Sequence, residues 1–322
     1  MNKVRCVISI FVITLGLCLI QPVSAAKFPS RPINLIMPFG VGNAPDAMAR
    51  IIGEYLQKKH NITLVIVSKP GGGGVPAMMD VIHSQPNGYT LSLTSANVLT
   101  VLPQYKNVGF TYSDLAHVAQ LTTFTMGWAV HVDSGITSIE ELMKKAEENP
   151  GKYTLASPGA FSGQRFFHNA LMKHFPKADF PYVAYDSGAE VVAALLGKHV
   201  SVGFTPIQNF IPHKDLRIIA VSSAQRSPQV PDAQTFVEVL GKDFVYDSIY
   251  GIVASKKTPS SVLKQLEELF AEALRDPEVQ QRFKKVGVVP SFLPGSGFTR
   301  VLDAYSALFE EPIRQAREAA KK

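Results

Sequence analysis

One sequence pattern limits the possible folds of this chain more than any other. It is a short apolar run, followed at once by a glycine-bearing turn and an amphipathic helix. Residues 33–39 (INLIMPF) predict a buried strand, and residues 40–46 (GVGNAPD) follow it as a turn. A tight turn of this kind points the free N–H groups and the positive dipole end of the next helix outward, so it readily binds an anion. The helix is predicted from apolar residues at helical spacing, which are Ala47, Met48, Ile51, Ile52, Tyr55 and Leu56.

The same order of strand, turn and helix returns along the chain. Residues 62–69 predict a strand that leads through PGGGG into a helix over 75–85. Strands that alternate with helices require parallel sheets covered on both faces, which predicts an α/β fold. Further strands are predicted at 88–95, near 128–132, and at 152–157, 181–185, 201–206 and 216–223.

Capping residues predict where several helices begin and end. Thr137 and Glu140 have the spacing of a capping box, and Gly197 is a predicted helix stop. The last third of the chain is predicted to be mostly helical, with Thr258 as an N-cap and Pro259 at the first helical position.

The length and the rhythm of these units predict two domains. The chain is expected to cross between them near residue 127 and to return near 249. One domain then comprises residues 27–127 plus 249–322, and the other comprises 128–248. The turns at the carboxyl ends of the strands would face a ligand cleft between the domains, as in a hinged binding protein.

Residues 1–26 have the features of a secretory signal peptide. Lys3 and Arg5 precede an uncharged, largely apolar core over residues 7–20, and small residues at 23–26 suit cleavage. The core is too short for a comfortable membrane span. Export to the periplasm is therefore predicted.

The two cysteines of the chain, Cys6 and Cys18, both lie in this leader. The mature chain would therefore have no disulfide, no thiol nucleophile and no cysteine metal site. A lipoprotein anchor at Cys18 is an alternative, although Leu17 stands where a small residue would be expected.

The sequence lacks motifs for catalysis, cofactors and nucleic acid. The formal charge is +6, but the basic residues are scattered, which argues against nucleic-acid binding. The turn GVGNAP nearly matches a dinucleotide fingerprint, but Pro45 replaces its third glycine, and PGGGG lacks the Lys-Ser/Thr ending of a phosphate loop. No G-x-S-x-G elbow and no paired histidine spacing occur. We therefore expect no cofactor, no metal and no catalytic residue.

Each candidate turn also has an ordinary structural explanation. Asp46 suits the first turn of a helix, Ser187 and Glu190 have the spacing of a capping box, and Gly71 to Gly74 permit a tight bend. Binding becomes the better hypothesis because several such turns would converge on one cleft.

Several landmarks follow one another over the whole predicted mature chain. They are RPINLIMPF with Asp46 and Arg50, KPGGGG with PNGYTL, the turn with Ser157, Gly159 and Ser162, VAYDSGAE with LLGKHVSVGF, and LRIIAVSSAQRSPQVPD. In this order and spacing they resemble the substrate-binding receptors of tripartite tricarboxylate transporters, the Bug (TctC) family. The resemblance implies a two-domain periplasmic binding-protein fold (type II-like), with a mostly parallel sheet flanked by helices in each domain.

The resemblance also implies the ligand, the partners and the site. Family members are similar in holding a ligand carboxylate mainly through backbone N–H groups and waters from cleft turns. The implied partners are a small organic acid and a membrane permease, and the receptor would be a monomer. Carried onto this chain, the implied ligand-binding residues are Gly40, Val41, Gly42, Asn43, Ala44, Asp46, Ser95, Asn97, Ser157, Gly159, Ala160, Phe161, Ser162, Tyr185, Ser187, Gly188, Ala189 and Thr205.

The chain departs from the family pattern at several of these turns. Pro45 and Pro158 cannot donate backbone hydrogen bonds, and the loss of one donor to a charged group costs about tenfold or more in affinity. Phe161 stands where the family often has glycine, and Asp186 where it often has lysine. We therefore expect a monocarboxylate, or an aromatic or amide-bearing acid, with Phe161 against its apolar part. The alternative is that Phe161 points into the domain core.

Two other functions stay open at the level of sequence. A secreted hydrolase or isomerase could use the same cleft with Asp46 as its base, although no nucleophile–base pair or metal motif supports it. A receptor for signalling would bind its ligand identically but dock on a signalling protein. The leading prediction is a receptor without catalytic activity that hands its ligand to a permease.

Overall fold

Strands and helices alternate along the chain from residue 33 onward. The computed structural model describes residues 28–160, 162–241 and 244–319, and every element below belongs to the unit that begins at Arg31. The predicted signal peptide and Phe161 therefore lie outside the described residues.

Eleven strands form one sheet within the described part of the chain. They are β1 (Ile33–Met37), β2 (Leu64–Ser68), β3 (Thr90–Ser95), β4 (Leu115–His131), β5 (Leu155–Pro158), β6 (Tyr182–Tyr185), β7 (Val202–Pro206), β8 (Leu216–Val221), β9 (Gln234–Thr235), β10 (Asp247–Ser255) and β11 (Pro290–Pro294). The order of the main path is β2-β1-β3-β10-β4-β7-β5-β6, while β8 and β11 pair with β4 and β9 pairs with β8.

Two sets of three parallel strands carry the predicted turns. β1 lies between β2 and β3, and β5 lies between β6 and β7, with all four pairings parallel. Because the strands of one set run in the same direction, the turns that follow them lie at one edge of that set. The first edge carries the turns after β1, β2 and β3, and the second carries those after β5, β6 and β7.

A long antiparallel pair joins the two sets. β4 has 17 residues, and its first part pairs with β10, where Asp247 lies opposite Thr125. Its second part, around Trp128, pairs with β7 and β8. The sequence pattern predicts only the part near 128–132 and predicts neither β10 nor β11. The crossings expected near 127 and 249 fall within β4 and β10, and the domain boundaries themselves stay a prediction.

Helices follow most of the strands. Those of the described residues are α1 (Ala44–His60), α2 (Val75–Ile82), α3 (Leu102–Tyr105), α4 (Ile139–Glu148), α5 (Gly163–Met172), α6 (Gly188–Leu196), α7 (Phe236–Leu240), α8 (Ser260–Arg275), α9 (Pro277–Lys285) and α10 (Gly295–Ala319). The periodic apolar pattern of α1 is confirmed, since Met48, Ile51, Ile52 and Leu56 are buried on one face. No helix of the described ranges is both long and apolar enough to cross a bilayer.

The predicted capping box before α4 is wrong by one residue. Ser138 is the N-cap, and its Oγ accepts from the N–H of Glu141 at 3.2 Å. Thr137 instead donates from its N–H and its hydroxyl to the Glu141 carboxylate, at 2.9 and 3.1 Å. The carboxylate that closes the motif therefore belongs to Glu141 and not to Glu140, because Ile139 is the first helical residue.

The other predicted caps are confirmed at α6 and displaced at α8. Ser187 is the N-cap of α6 and Gly197 is its C-cap. α8 begins at Ser260 with Pro259 in the N-cap position, so Thr258 lies one residue before the cap. Pro259 adopts an extended ψ of 140°, which keeps it outside the helix.

Aromatic side chains form one continuous core beneath the sheet. Trp128 is fully buried, with the ring centroid of Phe236 at 5.4 Å and that of Phe204 at 6.2 Å. Tyr246 extends this cluster toward α10, where its ring centroid lies 5.6 Å from that of Phe309. The second set of strands and the last helix therefore share a core.

Candidate functional site

The turn after β1 is built around the carboxylate of Asp46. Asn43 caps α1, and its Oδ1 accepts from the N–H of Asp46 at 2.9 Å. Asp46 Oδ2 in turn accepts from the N–H of Gly42 at 3.0 Å and from Arg50 Nε at 3.1 Å. Arg50 Nη2 lies 3.0 Å from Asp46 Oδ1, and the Asp46 side chain is only 5% exposed. The carboxylate is therefore enclosed by its own turn.

The surroundings of Asp46 keep it ionised. Burial acts to raise the pKa of its carboxyl group, but the hydrogen bonds from Arg50 and Gly42 and the charge of Arg50 outweigh burial and hold the pKa below its usual value. A carboxylate with a lowered pKa is a weak proton acceptor at neutral pH. Asp46 therefore shapes the turn and is poorly suited to act as a base.

The outer part of this turn faces solvent. Gly40, Val41 and Gly42 are exposed, and Val41 is 69% exposed. Gly42 has a φ of +88°, which glycine adopts without strain. The N–H of Gly42 is occupied by Asp46, while Ala44 opens the helix directly behind Asn43.

The turns after β2 and β3 pack against the turn after β1. A Cβ atom on Gly74 would lie 2.9 Å from Val98 and 3.0 Å from Pro38, and Gly74 has a φ of +91°. Ser95 ends β3, and its Oγ accepts from the N–H of Val98 at 3.4 Å. The Gly71–Gly74 stretch thus provides a close approach between the turns, in addition to its tight bend.

The hydroxyl of Tyr182 holds the turn after β5 together. It hydrogen-bonds with Ser157 and donates to the carbonyl oxygen of Gly159 at 3.0 Å. Ser162 Oγ lies 3.3 Å from the same hydroxyl and caps α5 by accepting from the N–H of Arg165. Three predicted site residues therefore surround one hydroxyl group that no local sequence pattern indicates.

A positive charge lies beside this turn. The guanidinium carbon of Arg165 is 4.7 Å from the centre of the Tyr182 ring, and no ion pair within the described residues neutralises it. His168, one turn further along α5, is 4% exposed. Burial, followed by the charge of Arg165, lowers the pKa of His168 to about 4, so this imidazole is neutral at pH 7.

The turns after β6 and β7 complete the second group. The N–H of Gly159 donates to the carbonyl oxygen of Tyr185 at 2.9 Å, which ties the turn after β5 to the turn after β6. A Cβ atom on Gly188 would lie 2.6 Å from Asn209 Nδ2 and 3.7 Å from Thr205 Cγ2. The start of α6 therefore packs closely against the turn after β7.

Tyr246 connects the two groups of turns. Asn97 Nδ2 donates to the Tyr246 hydroxyl at 2.9 Å, and this hydroxyl donates to Gln164 Oε1 at 3.1 Å. A Cβ atom on Gly163 would lie 2.5 Å from Asn97 Oδ1, so Asn97, two residues after β3, touches the first residue of α5. The two edges of the sheet therefore meet at Asn97.

The structure places most of the predicted residues in these two groups. The first holds the 40–46 turn, Ser95 and Asn97, and the second holds the turns around Ser157, Tyr185 and Thr205. Ala160 and Ala189 are exposed beside the second group. Whether these residues hold a ligand stays a prediction.

Sequence patterns miss three residues of the arrangement. Tyr182, Tyr246 and Asn209 take part in it although none lies in a glycine-bearing turn. Tyr182 lies within PYVAY, which predicts a strand but gives no sign of where its hydroxyl reaches. No group of three or more potential metal-binding side chains occurs within the described ranges.

The architecture is that of the periplasmic solute-binding proteins, in which two groups of βα turns meet. Within that class the chain belongs to the tripartite tricarboxylate transporter family of receptors (TctC), whose family model matches residues 48–303. This family consists of solute-binding receptors, so the resemblance described from the sequence is confirmed.

Two curated relatives cover most of the chain. The UPF0065 protein in the gbd 5' region of Cupriavidus necator is 31% identical over 274 residues, which are 84% of this chain and 82% of that protein. Protein BugT of Bordetella pertussis is 27% identical over 300 residues, which are 90% of each chain.

Solved structures show the same fold. The periplasmic binding protein BugD is 25% identical with a TM-score of 0.76, covering 90% of this chain and 98% of its own. MatC from Rhodopseudomonas palustris, solved with bound malate, is 20% identical with a TM-score of 0.75, covering 89% of this chain and 100% of its own. Another R. palustris protein, solved with adipate, is 20% identical with a TM-score of 0.78, covering 90% of this chain and 98% of its own.

Proposed function

We propose that the protein is an extracytoplasmic receptor that captures a small organic acid between the two groups of turns and delivers it to a tripartite tricarboxylate-type permease. In this proposal, residues 27–127 plus 249–322 form one lobe and residues 128–248 form the other. The ligand lies between the lobes, and the receptor binds it without catalysis or a cofactor.

The convergence of several βα turns at the Asn97–Tyr246–Gln164 contact carries this proposal. Turns at the carboxyl ends of parallel strands present backbone N–H groups from helix starts, and these groups favour an anion. Arg165 adds a positive charge that no described carboxylate pairs with. A carboxylate is the small anion that this combination suits.

The known ligands of two structural neighbours support this ligand class. MatC was solved with malate and the other R. palustris protein with adipate, and both molecules are small aliphatic carboxylates. At 20% identity they do not specify which acid this chain binds. The expectation of a monocarboxylate, or of an aromatic or amide-bearing acid, rests on Phe161 and Asp186 and stays a prediction.

Binding measurements on the purified mature chain test the ligand class. Malate, adipate, citrate and benzoate are titrated by calorimetry and in thermal-shift assays, with 1,4-butanediol as a control that lacks carboxylates. At 100-fold excess over the dissociation constant, a bound acid stabilises the fold by about 2.7 kcal/mol and raises the melting temperature. Failure of every carboxylate to bind would overturn the proposal, and tight binding of citrate alone would exclude the monocarboxylate expectation.

Delivery to a permease is a separate part of the proposal. Deletion of the gene in the source organism is expected to abolish uptake of the acid identified by calorimetry, and a plasmid copy should restore it. Uptake that survives the deletion, together with intact binding, would favour the signalling receptor instead.

The geometry gives no support to the hydrolase or isomerase alternative. The candidate base Asp46 is enclosed by Arg50 and Gly42, and its pKa is lowered, whereas a base at neutral pH needs a raised one. The bound acid should therefore be recovered unchanged after prolonged incubation, as measured by mass spectrometry.

A further inference from the structure

Three side chains from distant parts of the sequence form a hydrogen-bonded bridge between the two groups of turns. Asn97 follows β3, Gln164 lies in the first turn of α5, and Tyr246 directly precedes β10. The Tyr246 hydroxyl accepts from Asn97 Nδ2 at 2.9 Å and donates to Gln164 Oε1 at 3.1 Å. One hydroxyl group therefore joins one wall of the proposed ligand site to the other.

The ring of Tyr246 is held independently of its hydroxyl. Phe167 and Phe204 lie on the side of the second strand set, with ring centroids 5.6 and 6.1 Å from that of Tyr246. Tyr305 and Phe309 of α10 lie at 5.9 and 5.6 Å. Because Tyr246 is fully buried among these rings, replacing it by phenylalanine removes the two hydrogen bonds and keeps the packing.

The bridge requires glycine at position 163. A Cβ atom there would overlap the Tyr246 hydroxyl and would lie 2.5 Å from Asn97 Oδ1. Contacts this short would displace the side chain of Asn97 or Tyr246 and so break the hydrogen bonds of the bridge. Alanine at the start of a helix is otherwise favourable. A substitution of Gly163 by alanine should therefore break the bridge without destabilising α5.

The bridged arrangement leaves one polar atom unsatisfied. Asn97 Oδ1 is buried and has no hydrogen-bond partner within the described residues. If the walls moved apart, water could reach this oxygen and supply the partner. The hydrogen bonds of the bridge therefore favour the closed arrangement, while the unpaired Asn97 Oδ1 favours the open one. A ligand bound between the walls can then determine which arrangement predominates.

We propose that Asn97, Tyr246 and Gln164 form a closure latch, in which Tyr246 is the positioning residue that holds the two walls of the ligand site together. This proposal rests on the receptor function proposed above. The latch stabilises the closed arrangement with or without ligand, so its loss accelerates release of the ligand and does not slow its association.

The test compares three variants of the mature chain. Y246F removes the hydroxyl, and G163A blocks the bridge with a methyl group. Y55F is the matched control, because the Tyr55 hydroxyl donates to Glu272 at 3.0 Å and joins α1 to α8 away from both groups of turns. Urea unfolding of each variant verifies that it is folded.

Two readouts are measured on these variants. The first is the distance between spin labels at K59C and K177C, two exposed positions in different proposed lobes. The mature chain contains no other cysteine, so labelling is specific. The second is the dissociation rate of malate and of adipate, from stopped-flow measurement.

The latch predicts that Y246F and G163A lengthen the mean label distance in the acid-free protein and that Y55F does not. For whichever probe binds, Y246F should raise the dissociation rate about tenfold without lowering the association rate. Label distances in Y246F and G163A equal to those in Y55F and in the unsubstituted protein would overturn the latch. If neither acid binds but the distances still lengthen, the latch stands and the proposed ligand class fails.

Discussion

At the scale of single residues, the structure separates a charge that shapes a turn from a charge that has no ion-pair partner. Asp46 suits both a helix start and a ligand contact when judged from the sequence. In the structure its carboxylate is held by Gly42 and Arg50. Arg165, beside the turn after β5, is a cation that has no ion-pair partner in the described part of the chain.

The pair of Asp46 and Arg50 leads to a prediction about stability. R50M should lower the melting temperature at pH 7 by about 2–4 °C, because it leaves a buried carboxylate without its cation. The lowered pKa of Asp46 contributes stability above its unfolded pKa, near 3.8, and this contribution is lost as the pH falls through the folded pKa. The two proteins should therefore converge in acid.

Thermal unfolding at pH 7 and pH 3 measures this difference. The control is R282M, because Arg282 pairs with Glu54, whose side chain is 62% exposed, and pairs with an exposed partner contribute little. An equal loss in both variants would contradict the buried role of Asp46.

Asp247 leads to a prediction with the opposite dependence on pH. Burial raises the pKa of its carboxyl group to about 6, although hydrogen bonds from Ser222 and the N–H of Met126 oppose this rise. Because the folded pKa exceeds the unfolded value of 3.8, this group contributes stability below pH 3.8 that is lost as the pH rises through about 6. D247N should therefore be more stable than the unsubstituted protein at pH 7.5, by about 1–3 kcal/mol.

Urea unfolding at pH 4.5 and pH 7.5 tests this prediction. The gap between the two proteins should shrink at the lower pH, where Asp247 is protonated in the folded state. D186N serves as the control, since Asp186 is exposed and its replacement should change the free energy of unfolding little. A gap that is the same at both pH values would show that the carboxylate is not desolvated.

At the scale of secondary-structure elements, helix α4 offers a direct test of a displaced cap. S138A should lower the free energy of unfolding by about 1 kcal/mol, because it removes the acceptor for the N–H of Glu141. T137A should cost less than half as much, since Thr137 is exposed and lies outside the helix. Urea unfolding of both variants shows whether Ser138 or Thr137 is the N-cap. A larger loss of unfolding free energy in T137A than in S138A would support the capping box predicted from the sequence.

The sequence predicts elements whose pattern is local and misses those set by pairing. β1 and α1 have clear periodicities, so both are confirmed within one to three residues. β4 is not foreseen over its first part, because His117, Gln120 and Thr122 interrupt its apolar pattern. These polar groups are satisfied by distant partners, as when Thr122 donates to the carbonyl oxygen of Val289.

In the candidate site, too, the sequence predicts the local features and misses the long-range contacts. Glycine, proline and serine mark its turns because backbone geometry and helix capping are local requirements. Tyr182 and Tyr246 act through hydroxyl groups that reach turns 20 or more positions away along the chain. No spacing pattern encodes such a contact, since the fold alone brings these residues together.

At the scale of the whole molecule, a single strand belongs to both halves of the sheet. β4 pairs with β10 on the side of the first strand set and with β7 and β8 on the side of the second. The aromatic core is also continuous, since Tyr246 contacts Phe204 as well as Phe309. Neither half can lose its structure without exposing part of the other.

This continuity predicts that the two halves unfold in one transition. Trp128 is the only tryptophan of the chain, and it lies fully buried in the second part of β4, so its fluorescence reports on that half. Hydrogen exchange at the amides of β1 reports on the other half. Urea midpoints from the two probes should coincide, although chains with two domains often unfold in two steps.

F204L, which removes part of the ring packed on Trp128, should lower both midpoints by the same amount. If F204L moved the midpoint of the Trp128 fluorescence alone, the two halves would unfold independently. Unfolding in one transition requires that the loss also reach β1 through the shared strand β4.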